Sequence, residues 1–144
     1  MTRQGYVARS EIDNHADTCC LGSNFLPLSF TGELCDVSPY TDAYEPMKNV
    51  PICSGATAFR HPDTGETFIL IIHEALWFGD KLDHSLINPN QVRSNGFRLS
   101  DDPFDITRDF GLEVDHETLI PFDVHGSIIY FESFVPSHDD IHRF

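Results

Sequence analysis

Residues 13–18, DNHADT, form the segment with the clearest capacity for chemistry, and they directly follow a run of strand-forming residues. Asp13 begins this polar turn, where backbone amides can hold a carboxylate in one orientation. Two carboxylates held close together cannot both ionise, so such a pair shares one proton and titrates as a unit. The charged member activates a water molecule and the protonated member polarises a peptide carbonyl. Asp13 is therefore the candidate for acid–base hydrolysis.

The sequence contains one motif of this kind, so a second carboxylate must come from a second chain. This requirement predicts a two-fold symmetric homodimer with the active site on its axis. The structural alternative is that Asp13 only caps a loop, which is a common use of aspartate in turns. Asp17 has the same two interpretations, as a cap of this loop or as a residue that contacts a substrate.

His15, Cys19 and Cys20 lie within one short segment and raise the alternatives of a metal site and of thiol chemistry. Zinc sites usually separate their cysteines by two to four residues and need a fourth ligand. A cysteine nucleophile needs a neighbouring histidine, and the spacing selects none. The histidines available to either site are scattered, at His61, His73, His84, His116 and His125. We therefore expect no metal and no cofactor.

The composition limits the partners. The 144 residues fit one domain, and 23 acidic against 9 basic residues give a formal charge of −14. Such a chain is a poor match for nucleic acid or for an anionic membrane surface, since both require basic residues. The first residues, MTRQGYVARSEI, lack the apolar core of a signal peptide, and four cysteines as free thiols indicate a reducing compartment. We expect an intracellular domain.

Several short elements surround the polar turn. Residues 6–12 predict a strand that leads into Asp13, and residues 35–59 predict a long hairpin with a polar tip at 39–46. HPDTGE, at 61–66, predicts a turn. The apolar run at 67–78 predicts one buried strand, or two strands with a bend between them.

The second half of the chain contains the one predicted helix. After a short strand at 84–88, PNQVRSNG places Pro89 at the first helical position and Gly96 just beyond the end. A strand and a loop follow, then two strands broken near residues 125–126, and a tail at 137–144 that we expect to be frayed. Many short strands, frequent turns and one helix predict a mainly β domain with a core at about residues 6–136.

Two segments of the sequence, taken in order, resemble a known protein family. EIDNHADTCCLGSNF is similar to the opening of the protease region in copia-type retrotransposon polyproteins, and EALWFGDKLDHSLINPNQVRSNG is similar to a later segment of that region. VHGSIIYFESFVP also resembles the segment that follows this protease in some of these elements. The resemblance covers most of residues 7–136.

The resemblance implies a retropepsin-like aspartic protease, a mainly β domain in the form of a small closed barrel that works as a homodimer. Asp13 would be the catalytic carboxylate, and the hairpin at 35–59 would be a flap that closes over the peptide. The resemblance also implies roles for a further set of residues, with Asn14, His15 and Ala16 in the active-site loop and Asp17, Thr18, Tyr40 and Tyr44 in substrate binding.

The expected activity is that of an aspartic endopeptidase that processes a retrotransposon polyprotein, in the cytoplasm or in a virus-like particle. Its substrate would be an extended peptide. The chain departs from the family pattern at Asn14 and His15, and at Pro89, where retroviral enzymes often place an arginine; Arg93 is the nearby substitute. The alternative is an inactive retropepsin-like module for binding or dimerisation.

Overall fold

The computed structural model describes residues 5–14, 18–37, 47–115 and 117–143. Strands make up most of it, which confirms the prediction of a mainly β chain. The strands are β1 (Val7–Ile12), β2 (Cys20–Gly22), β3 (Leu26–Val37), β4 (Met47–Arg60), β5 (Thr67–Gly79), β6 (Ser85–Ile87), β7 (Arg98–Ser100), β8 (Gly111–Glu113), β9 (Leu119–Pro121), β10 (Asp123–His125) and β11 (Ile128–Phe134). The helices are α1 (Pro89–Ser94) and α2 (His138–Arg143).

Eight strands form one sheet in the order β10-β11-β1-β6-β2-β5-β4-β3. This sheet closes into a ring because β11 also pairs with β4, through Phe134 and Ala58. Strand β1 lies between a parallel neighbour, β6, and an antiparallel neighbour, β11. Strands β7, β8 and β9 form a separate small sheet. The strand that ends at the polar turn therefore has partners on both sides.

Helix α1 begins and ends where the sequence predicts. The Asn88 side chain caps its start by accepting hydrogen bonds from the backbone N–H groups of Asn90 and Gln91, at 2.8 and 3.1 Å. Pro89 occupies the first turn, where its missing N–H leaves no donor unsatisfied. Gly96 follows the helix with φ of +92°, a left-handed conformation that glycine adopts without strain.

Strand β5 is less buried than its apolar sequence predicts. Ala75 and Leu76 are buried, but Ile71 is 51% exposed and the residues around it are half-buried. Strand β2 pairs with β5 only from Leu76 to Gly79, so among the described residues the first half of β5 pairs with β4 alone. The predicted bend occurs at Glu74, which has φ of +55°.

The C-terminal region differs from the prediction in two respects. Residues 119–134 form three strands instead of two, although the break before β11 lies at the predicted turn. A second helix, α2, replaces the frayed tail. The Ser137 hydroxyl accepts from the Asp140 N–H at 3.0 Å, and the Asp140 carboxylate accepts from the Ser137 N–H at 2.9 Å. This reciprocal cap satisfies two backbone donors and orders the helix start.

Two apolar clusters form the core of the described residues. One contains Cys19, Leu21, Phe25, Cys53, Ala75 and Ile87, and the other contains Phe59, Leu99, Leu112, Ile120, Phe122 and Phe131. Ile12 and Val92 pack against both clusters, so the strand end before Asp13 and helix α1 join them. In the part of the chain that the structure describes, no helix has the length and apolarity needed to cross a bilayer.

Candidate functional site

Asp13 lies where two parallel strands end together. Its predecessor Ile12 is in register with Ile87, the last residue of β6. The Asp13 backbone N–H donates to the Ile87 carbonyl at 2.9 Å, which extends the pairing by one step. The Asp13 side chain is half-buried. The strands therefore fix the backbone of this carboxylate and leave it partly accessible to solvent.

Helix α1 holds the chain immediately after the polar turn. The Gln91 side-chain oxygen accepts from the Thr18 hydroxyl and from the Cys19 N–H, both at 2.9 Å. The Gln91 amide nitrogen donates to the His73 carbonyl in β5 at 3.1 Å. One side chain thus connects the turn, the helix and the bend in β5. A polar cavity of about 540 Å³ lies beside this contact, with Thr18, His73 and Gln91 in its lining.

Asn88, which directly follows β6, supports the same segment. Its backbone N–H donates to the Cys19 sulfur at 3.3 Å, and its side chain caps helix α1. Asn88 therefore orients the helix that presents Gln91 to residues 18 and 19. The sequence contained a signal for the cap, in the order Asn-Pro before a helical run. It contained none for Gln91, because this role depends on the three elements meeting in space.

The two neighbouring thiols are unsuited to nucleophilic chemistry. Burial raises the pKa of Cys19 to about 11. Burial also raises the pKa of Cys20 to about 11, and the negative charges of Cys19 and Asp13 add smaller contributions. A nucleophilic cysteine needs a lowered pKa so that the thiolate forms near neutral pH. Both thiols carry a proton at that pH.

The negative charge of Asp13 is among the causes of the raised pKa of Cys20, so the Asp13 carboxylate and the Cys20 thiol lie near each other. Glu11, the other carboxylate near the end of β1, lies 3.6 Å from the His84 imidazole. Among the described residues, no three or more His, Cys, Asp or Glu side chains converge in the manner of a metal site.

The other predicted site residues divide into two groups. The structure describes Asn14, which is exposed, and Thr18, which is half-buried and bonded to Gln91. The rest lie outside the described residues, namely His15, Ala16, Asp17, Tyr40 and Tyr44. The described part of the turn therefore brings Asp13 and Asn14 together beside the strand ends.

The arms of the predicted hairpin are confirmed, and the predicted tip lies outside the described residues. Strands β3 and β4 pair antiparallel, with Leu34 opposite Pro51 and Cys35 opposite Val50. The pairing continues to Val37 and Met47, which flank the tip segment. The hairpin is longer than predicted, since β3 begins at Leu26.

Comparisons of this chain with protein-family models, with curated proteins and with solved structures give no match. In the part of the turn that the structure describes, the site contains the partly accessible carboxylate of Asp13 on a backbone that strand pairing holds in place. Such a group can accept a proton, bind a donor or activate water. Activation of water together with polarisation of a carbonyl requires a second acidic group in the other protonation state.

Proposed function

We propose that this protein is an aspartic endopeptidase of the retropepsin type, with Asp13 as its catalytic carboxylate. The observation that carries the proposal is the position of Asp13 at the joint end of β1 and β6, with its N–H bonded to the Ile87 carbonyl at 2.9 Å. A general base must be held in a fixed position and remain accessible to the reacting water. Asp13 meets both requirements, because its backbone is paired and its side chain is half-buried.

The second acidic group in this proposal is Asp13 of another copy. Two identical carboxylates on a two-fold axis share one proton, so that the charged one activates water and the protonated one polarises the peptide carbonyl. Asp17 and Thr18 would then bind the substrate, and Asn14, His15 and Ala16 would complete the loop. Gln91 supports this scheme because it ties Thr18 and Cys19 to helix α1.

The proposed substrate is an extended peptide within a retrotransposon polyprotein. The antiparallel arms of β3 and β4 support a flap, since a long hairpin can cover a peptide bound beside Asp13. Residues Tyr40 and Tyr44 would lie at its tip. Backbone hydrogen bonds would then hold the peptide as an added strand, and side-chain pockets would select its sequence.

One observation favours the alternative of an inactive binding or dimerisation module. Pro89 is fully buried in the first turn of α1, at the position where retroviral enzymes often place an arginine. Arg93, the nearby substitute, is engaged elsewhere. Its guanidinium donates to the Leu99 carbonyl at 3.2 Å and pairs with the Asp101 carboxylate at 3.2 Å. The contact that this arginine makes in retroviral enzymes would therefore be absent.

Cleavage of peptides that span the junctions of the parent polyprotein tests the proposal. We expect cleavage by the wild-type chain and loss of at least ~1,000-fold in kcat/KM for Asp13→Asn, since the variant lacks the ionisable group. Asp63→Asn, an exposed change in the 61–66 turn, is the matched control and keeps full activity. Equal cleavage by Asp13→Asn and wild type contradicts the proposal.

Sedimentation of the same proteins separates the two functions. A dimer with activity that depends on Asp13 supports the endopeptidase. A folded dimer that cleaves none of these peptides supports the inactive module. A folded chain that remains monomeric at every accessible concentration, yet cleaves, contradicts the shared dyad.

A further inference from the structure

An apolar cavity of about 500 Å³ lies between strand β5 and helix α1. Each residue from 68 to 73 in β5 lines it. Since successive residues of a strand point to opposite faces, a cavity lined by all of them lies along the edge of the strand. Among the described residues, this part of β5 pairs with β4 alone. The opposite wall includes Val92 of α1, Leu99 of β7 and Leu112 of β8.

The inner end of the cavity is buried and its mouth is exposed. Ile87 and Phe131 are buried lining residues, and they belong to the two different apolar clusters of the core. Ile71 and Phe97, which are 51% and 47% exposed, also line the cavity and mark its opening to solvent. A volume of about 500 Å³ exceeds the voids of a packed core and falls in the range of small-molecule sites, roughly 300–1,000 Å³.

The lining selects a ligand without charge. All of its described side chains are apolar except those of His73, Gln91 and Asn95, and none of them is Asp, Glu, Lys or Arg. A charged ligand would lose its hydration in this cavity without gaining an ion pair. The formal charge of −14 on the chain also repels an anion. A neutral molecule with a mainly apolar body meets neither of these costs.

Gln91 favours a small molecule over an added strand as the occupant. Its amide nitrogen donates to the carbonyls of His73 and Glu74, at 3.1 and 3.5 Å, and covers the end of the open β5 edge. A strand that paired with this edge would have to stop there, since strand addition needs a run of free backbone groups. Asn95 lies one turn further along α1 and is exposed at the cavity. Its side-chain oxygen can accept a hydrogen bond from a ligand.

We propose that this cavity binds a neutral small molecule with a mainly apolar body and one polar group. The apolar body contacts Ile71 at the mouth and Phe131 at the inner end, which removes their apolar surface from water. The polar group bonds to Asn95. A bound molecule contacts both core clusters, so it raises the thermal stability of the folded chain. The described residues that line the cavity do not include Asp13, so binding here is independent of the role proposed for that residue.

Fluorescence titration of the full chain with Nile red, a neutral apolar dye, tests this site. We expect saturable binding of one dye per chain and a Tm that rises with dye concentration. Val114→Phe adds volume to the cavity lining and should weaken binding at least ~10-fold. The matched control is Val124→Phe, at an exposed valine of β10 outside the lining, and it should bind the dye as wild type does. Circular dichroism spectra establish that both variants are folded.

A charge at the mouth provides a second test. Ile71→Glu should weaken Nile red binding at least ~10-fold, because the bound dye would take water away from the new carboxylate. Val7→Glu is its matched control, since it replaces a similarly exposed apolar side chain outside the cavity. The anionic dye 8-anilinonaphthalene-1-sulfonate should bind at least ~10-fold more weakly than Nile red, because the lining offers its sulfonate no cation.

The outcomes separate this site from the alternatives. Weakening that is confined to Val114→Phe and Ile71→Glu supports the site. Equal weakening by these variants and by their controls overturns the proposal, and so does equally tight binding of the anionic dye. Sedimentation examines the occupant: a wild-type chain that dimerises while Ile71→Glu stays monomeric shows that a second copy covers the cavity, which also overturns the proposal. Loss of dye binding leaves the cleavage test of Asp13 unaffected.

Discussion

Asn24 offers the sharpest test of how this fold is held together. Its side-chain amide nitrogen donates to the hydroxyls of Ser10 and Ser133, both at 3.1 Å, and its oxygen accepts from the Ser85 hydroxyl at 2.6 Å. Thr57 joins the network through a 2.8 Å bond to Ser133. All five side chains are fully buried. One asparagine therefore connects β1, β6 and β11, and through Ser133 it is linked to β4.

Asn24→Ala removes three buried hydrogen bonds to side chains and leaves the Ser85 hydroxyl without its acceptor. A buried polar group that loses its partner costs about 1–3 kcal/mol, and the empty volume adds to the loss. We expect the free energy of unfolding to fall by about 3 kcal/mol, with a fall in Tm of about 10 °C for a domain of this size.

Urea unfolding followed by tryptophan fluorescence and circular dichroism measures this change. Asn95→Ala is the matched control, because that exposed side chain makes one hydrogen bond, to the Gln91 carbonyl at 2.8 Å. We expect the control to lose less than about 1 kcal/mol. If Asn24→Ala loses no more than Asn95→Ala, the network is not a main contributor to stability and the reasoning fails.

Two further predictions concern the candidate site. Gln91→Leu should lower kcat/KM for peptide cleavage more than Gln91→Glu does. The glutamate keeps an acceptor for the Thr18 hydroxyl and for the Cys19 N–H, and leucine does not. Equal kinetics for both variants would show that these two bonds do not position the turn. Burial raises the pKa of Cys19 from 9.0 to about 11, so its contribution to stability is complete below pH 9 and is lost as the pH rises through 11. Urea unfolding at pH 8 and pH 11 measures how far the free energy of unfolding falls between these two values. The fall should be about 2 kcal/mol smaller for Cys19→Ala than for wild type. Equal falls would contradict the raised pKa of Cys19.

The local signals of the sequence predicted much of this fold. Asn88, Pro89 and Gly96 act within one helix, so their spacing alone defined α1. The strand before Asp13 and the turn at 61–66 were also predicted from adjacent residues. Asp13 was selected by residue type and position, and the structure places it at a strand end as expected.

The remaining features depend on residues that are far apart in sequence. Gln91 acts through residues more than 70 positions away, and no local pattern indicates such a contact. Ile71 is exposed in the first half of β5, which pairs with β4 alone among the described residues, and strand propensity does not predict how many neighbours a strand has. The cap of α2 was missed because its Ser137–Asp140 pair has aspartate where the usual signature has glutamate or glutamine.

The pairing of β1 with β11 has a consequence for the timing of synthesis. Strand β1 leaves the ribosome early, but its antiparallel partner ends at Phe134, and Ser10 bonds to Ser133 across 123 positions. Contacts between such distant residues form late, because the intervening chain must first be brought together. Asp13 therefore reaches its final surroundings only after strand β11, which ends at Phe134, has been translated. Until then, a nascent chain carries this acid group without the strand pairing that surrounds it in the folded domain.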